Sequence, residues 1–167
     1  MPDDADDPAP ALAFHAHDHA HCCGGLIAEA EAIAASRGAR LTPVRRRVLE
    51  ILLEEHRALG AYDLLERLAR DGFGNQPPVA YRALDFLVDH GLVHRIDRLN
   101  AFMACTHPGH AHTPAVLICR ACRTVAEAPG TGVRAAIDEA ALGAGFAVER
   151  TTVEVLGLCP ACQEAAA

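Results

Sequence analysis

Two Cys-x-x-Cys pairs, Cys119/Cys122 and Cys159/Cys162, constrain this 167-residue chain more than any other feature. Each pair puts two thiols on one tight turn, and four sulfurs brought together complete the tetrahedral shell that structural zinc prefers. A simple zinc ribbon separates its pairs by roughly 15–20 residues. Here the segment from Arg123 to Leu158 intervenes, long enough for strands and a helix of its own. Zinc is therefore expected to staple a small α+β unit. Four ordinary buried cysteines, or two redox pairs, fit the spacing less well.

The rest of the cysteine chemistry depends on compartment. No apolar run approaches the roughly 18–20 residues needed to cross a bilayer. The N-terminus is acidic and His-rich, where a signal peptide is basic and then apolar. A cytoplasmic protein without a membrane partner is expected, in which all seven cysteines stay reduced, as metal ligands or small hydrophobes.

A formal charge of −7 looks wrong for a nucleic-acid binder until it is mapped along the chain. Residues 26–106 carry 11 Arg against 11 Asp/Glu and are neutral, so the deficit lies in the N-terminal tail and the C-terminal segment. Every basic residue is arginine, whose planar donors suit phosphate and guanine edges. A high-GC codon bias gives the same composition.

Residues 1–25 hold His15, His17, His19, His21, Cys22 and Cys23 among prolines and aspartates, and read as a flexible tail that either collects metal loosely or is a solvated leader. From Leu26, apolar positions at helical spacing predict a helix stopped by Gly38. Thr42-Pro43 opens a second helix with Arg45, Arg46 and Arg47 in its first turns, ending near Glu55. A third runs over about 61–70, and a fourth follows Pro77-Pro78 and ends by Gly91. Alternation in 92–97 and 101–105 around Arg98-Leu-Asn100 predicts a hairpin. Helices followed by a hairpin make a winged helix over 26–106, in which the last helix enters the major groove and the wing touches backbone. Residues 107–114 read as a hinge. Residues 115–164 read as strands over 115–119, 124–128 and 146–156, with a helix over about 131–142. A unit this small calls for both the zinc staple and a partner subunit.

Taken in order, Leu41-Thr-Pro43 with Arg45, Ala61-Tyr-Asp-Leu-Leu65, Pro77-Pro78 leading into Tyr81-Arg-Ala-Leu-Asp-Phe-Leu87, Ile118-Cys-Arg-Ala-Cys122 and Gly157-Leu-Cys-Pro-Ala-Cys162 carry a resemblance. Over about 26–164 the chain resembles the ferric uptake regulator (Fur) superfamily, and within it the zinc-uptake branch. The resemblance implies an α+β architecture: an N-terminal winged-helix DNA-binding domain and a small C-terminal α/β dimerisation domain. It also implies a homodimer that represses transcription on pseudo-palindromic double-stranded DNA operators when metal is bound. Two zinc ions per chain follow from it, one structural on Cys119, Cys122, Cys159 and Cys162, one regulatory on His94, Cys105, His112 and Glu127. His107 or His110 is the alternative hinge ligand, whereas His56 and His90 read as surface histidines. Tyr62 and Arg82 are implied as base contacts, Tyr81 and Arg45 as backbone contacts. Val79 stands where the family commonly has threonine, which removes one hydroxyl from the phosphate-facing surface.

Two imidazoles, a thiolate and a carboxylate complete a tetrahedral shell, and the thiolate tilts preference to zinc over Fe(II) or Mn(II). An iron, manganese or peroxide sensor of the same superfamily is thus the first alternative. A zinc hydrolase with Glu127 as general base is the second. It lacks any His-Glu-x-x-His, nucleophile elbow or phosphate loop, and four protein ligands leave no place for substrate. A zinc-stapled interaction module without DNA binding is the third. No enzyme is expected.

Overall fold

The computed structural model describes residues 19–55, 57–109 and 113–165, with backbone alone over 19–24. The leader before His19, together with His56, His110 and His112, lies outside the described residues.

Four helices come first: α1 (His19–Ser36), α2 (Pro43–Glu54), α3 (Ala61–Arg70) and α4 (Pro77–Asp89). Helix α1 starts at His19 and not at Leu26, so Gly24-Gly25 lies inside the helix and does not bound the tail. Two glycines weaken a helix by about 1 kcal/mol each relative to alanine, but do not break one. The apolar stripes go where their periodicity directs them. Ile27, Ala30 and Ala34 of α1, Val48, Leu49, Ile51 and Leu52 of α2, Leu64, Leu65 and Leu68 of α3, and Ala80, Ala83, Leu84 and Leu87 of α4 are all buried. Thr42 adopts extended backbone at the N-cap of α2, with Pro43 at the first helical position. At α3 the Asp63 carboxylate accepts a hydrogen bond from the Gly60 N–H at 3.1 Å, which satisfies an amide that the helix cannot.

Strands β1 (Val93–Ile96) and β2 (Ala101–Ala104) form the antiparallel wing. A 3-10 turn over Asp97–Leu99 links them, closed by Asn100 at φ +46°. The wing gains a third element that its own alternation does not reveal. Leu59, between α2 and α3, bridges Phe102 through reciprocal backbone bonds of 3.0 and 2.9 Å.

The second half is a three-stranded sheet of β3 (Pro114–Cys119), β4 (Val125–Pro129) and β5 (Val153–Gly157), in the order β4-β3-β5. Helix α5 (Thr131–Gly143) connects β4 to β5, and a short helix α6 (Pro160–Glu164) ends the described chain. Strand β3 pairs antiparallel with β4 and parallel with β5. The strand expected over 146–156 is shortened. Residues 146–152 do not pair, and Phe146 is 69% exposed. Among the described residues this stretch has no partner strand.

Two cores result. One lies among the four helices and the inner face of the wing. The other joins the halves: Ile96 and Met103 of the wing pack with Val116, Ile118 and Val125 of the sheet, with Ala58 and Leu99 at the margin. The wing, expected to touch DNA backbone, has a structural role as well. Its outer face is the joint between the helical half and the sheet.

Candidate metal centre

The two Cys-x-x-Cys turns converge although 36 residues separate Cys122 from Cys159. Cys119 ends β3, and the following turn closes with the Arg123 N–H donating to the Cys119 carbonyl at 3.0 Å and Arg123 at φ +61°. Because β5 lies parallel beside β3, with Cys119 opposite Gly157, its end delivers Cys159 and Cys162 to the same place. The four sulfurs all lie within 4.8 Å of one another. Cys122 Sγ and Cys159 Sγ are 3.7 Å apart. Four sulfurs at zinc–thiolate distance on a tetrahedron are about 3.8 Å apart. The donor set and the spacing both fit a structural zinc ion.

The electrostatics favour anionic sulfur at part of this site. Backbone N–H groups, from Cys122 first and then Cys159, lower the Cys119 thiol to about 6. The Cys159 N–H donates to it at 3.4 Å. The Thr124 hydroxyl, 3.1 Å from Cys122 Sγ, lowers Cys122 as well. Cys162 is pushed the other way, to about 12, because Cys159 and its other sulfur neighbours favour its protonated form. Neutral thiols here would lose protons on binding a metal.

A second cluster forms at the base of the wing. His94 on β1, Cys105 just after β2 and Glu127 on β4 offer one ligand atom each, all within 4.8 Å of one another. His94 Nε2 lies 3.4 Å from Glu127 Oε1, and the Glu127 side chain is only 3% exposed. Its other oxygen, Oε2, accepts hydrogen bonds from the Thr106 N–H and hydroxyl, both at 2.9 Å. Burial opposes ionisation of Glu127, but His94 first and Thr106 second outweigh it and hold the carboxyl at about 2. Cys105 is 2% exposed, and burial, aided by the Glu127 charge, pushes its thiol up to about 12. A carboxylate, an imidazole and a thiol that gives up its proton suit a transition metal with borderline-soft preference. The fourth expected ligand, His112, and its alternative His110 lie outside the described residues. The other alternative, His107, is exposed, with Nδ1 3.0 Å from Thr106 Oγ1.

On the helical half, Tyr62 is 72% and Tyr81 43% exposed, and Arg82 is exposed. Arg45 is engaged internally. Its guanidinium lies 3.6 Å over the Phe86 ring and donates to the Arg40 carbonyl at 2.9 Å, which fastens α2 to α4. Phe86 in turn stacks on His90, so His90 is half-buried structure and not a bare surface residue. Arg46 pairs with Glu31 and Glu50. Arg47 pairs with Glu50, Glu54 and Asp71. The arginine run that opens α2 is therefore largely spent on holding helices together.

A model of the ferric uptake regulator family matches residues 36–156. The chain is 40% identical over 140 residues to the zinc uptake regulation protein of Escherichia coli (strain K12), covering 83% of this chain and 82% of that one. A zinc uptake regulator solved with zinc and DNA matches with TM-score 0.82 at 39% identity, over 86% of this chain and 97% of that chain. The holo form of XcZur matches with TM-score 0.77 at 37% identity, over 86% of this chain and 99% of that one. Its apo form matches with TM-score 0.50 at 35% identity over the same shares. The chain belongs to the ferric uptake regulator family and within it is similar to the zinc uptake regulators.

Proposed function

We propose that this chain is a zinc-responsive transcriptional repressor, acting in the cytoplasm as a homodimer on pseudo-palindromic operators of zinc-uptake genes. The observation that carries the reading is the cluster of His94, Cys105 and Glu127, which draws donors from both the wing and the sheet. In this reading Cys119, Cys122, Cys159 and Cys162 hold a structural zinc, and His94, Cys105 and Glu127, with His112 from the hinge, hold a regulatory one. That makes two ions per chain. When bound, the regulatory ion supplies a coordinate cross-link between the two halves.

The chain's own groups do the rest. Thr106 orients Glu127, and the buried thiol of Cys105 favours zinc over metals that prefer oxygen and nitrogen donors. Tyr62 and Arg82 reach bases and Tyr81 reaches backbone, consistent with their exposure. Arg45 positions α4 through Phe86 and reaches phosphate only with the part of its guanidinium left over. Arginine on guanine O6 and N7 contributes about 1–3 kcal/mol of discrimination.

Dimerisation is supported by what the sheet half leaves uncovered. Helix α5 has no buried residue. Leu142 is 80%, Phe146 69%, Leu156 49% and Val155 46% exposed, and β5 is an edge strand. A second copy covers such a face with two-fold symmetry, and the same axis sets the two α4 helices on two half-sites.

The relatives are regulators by name, which leaves the hydrolase reading without support. The test is to titrate free zinc while following binding to the promoter of a zinc-import operon, with Cys105→Ser beside the wild type. Wild type binds as zinc rises, and the variant does not, while keeping one tight zinc per chain. Unchanged zinc-activated binding in the variant refutes the assignment.

A further inference from the structure

Glu154 lies on β5 opposite Val116 of β3, in the sheet half, yet its carboxylate binds the wing. Oε1 accepts the Asp97 N–H at 2.7 Å and Oε2 the Arg98 N–H at 3.1 Å. These two amides open the 3-10 turn at the wing tip, where a helical turn has no carbonyl of its own to offer them. One carboxylate thus grips two successive amides from more than 50 residues away.

The other end of the same hairpin is held by a different carboxylate. Thr106, just beyond β2, binds Glu127 of β4, and His94 of β1 faces it. Strands β4 and β5 flank β3 on opposite sides. The two attachments therefore sit two strand spacings apart, about 9–10 Å across the sheet. An attachment at the base alone leaves the hairpin free to pivot about it. A second at the tip fixes the direction, with Ile96 and Met103 packed between the two on Val116, Ile118 and Val125. The recognition helix moves with the wing, because Leu84, Leu87, Leu92 and Val93 share one core.

Resting on the function proposed above, we propose that Glu154 is a positioning residue for operator binding. It holds the wing tip to the dimerisation sheet, so that metal binding at the base is converted into one fixed placement of α4. It touches neither metal nor DNA.

The test uses the full-length, zinc-loaded protein as wild type, Glu154→Ala, Glu154→Gln and the charge control Glu149→Gln. Operator affinity is read at fixed salt on one zinc-import promoter duplex. The cobalt(II) spectrum of the regulatory site and amide exchange at Asp97 and Arg98 are read in parallel. Glu154→Ala is expected to bind the operator about tenfold more weakly, with both amides deprotected and the cobalt spectrum unchanged. Glu154→Gln, which keeps one acceptor, falls about threefold, and serves alone if the alanine variant loses its structural zinc. Removing a negative charge on its own strengthens attraction to phosphate. A loss of affinity therefore has the opposite sign to the charge effect, which Glu149→Gln measures. Wild-type operator affinity in both Glu154 variants overturns the proposal, as does an altered cobalt spectrum, which would place Glu154 in the metal site. A wild type without zinc-dependent binding overturns the functional reading itself and this role with it.

Discussion

Zinc binding at the wing base should expel one proton per chain from Cys105 across the whole neutral range. In the metal-free chain its thiol stands at about 12, raised by burial and then by the Glu127 carboxylate. Glu127, at about 2, is already ionised and releases nothing. Presenting the Cys105 thiolate at pH 7.5 costs about 6 kcal/mol, from roughly 4.5 pH units at 1.36 kcal/mol each. That cost is set against the zinc–sulfur bond and shrinks as pH rises. The apparent affinity of the regulatory site should therefore rise, from this thiol alone, about tenfold per pH unit between about pH 7 and 8.5. Competition with a chromophoric chelator, corrected for the chelator's own protonation, reads the slope directly. Calorimetry in two buffers of different ionisation enthalpy counts the proton independently. A flat affinity over that range would mean that Cys105 is already a thiolate or is not a ligand, and the reasoning would fail.

Three further outcomes follow from the packing. Gly130→Ala puts a methyl 2.2 Å from the Thr113 carbonyl oxygen at the end of the hinge, so it should cost about 1–3 kcal/mol in chemical denaturation and weaken regulatory zinc binding. Leu84→Ala empties a fully buried position of α4 and should destabilise the helical half by about 2–5 kcal/mol in the same assay. The Glu127 carboxyl is held in the folded chain below its ordinary value of 4.5, so its stabilising contribution is complete above that value and is lost as pH falls toward 2. Acid titration of the metal-free chain should show this loss by circular dichroism, and Glu127→Gln should flatten that segment of the curve.

Much of this structure is local and can be read from the chain. Helix α3 was expected over about 61–70 and spans Ala61–Arg70, because its leucines keep strict helical spacing and Asp71-Gly72 stops it. The convergence of the two Cys-x-x-Cys turns was legible because four thiols at that spacing have few other uses. What was not legible depends on partners distant in sequence. A strand is expected over 146–156, but pairing begins only at Val153, opposite Ala115 of β3. The sequence puts Arg46 and Arg47 in the first turns of α2 but does not reveal that Glu31, Glu54 and Asp71 fold onto them. Alternation reveals the hairpin of the wing but not that Val116, Ile118 and Val125 pack against its outer face. Glu154 carried no local signal at all, since its partners are two backbone amides 57 and 56 residues earlier.

The most direct test of the central claim is anomalous diffraction at the zinc edge from crystals of the zinc-loaded protein. The account predicts two peaks per chain, one among Cys119, Cys122, Cys159 and Cys162 and one bound by His94, Cys105, Glu127 and a hinge histidine. A second ion seated wholly within one half of the molecule, with His94 and Glu127 turned away from it, would contradict it.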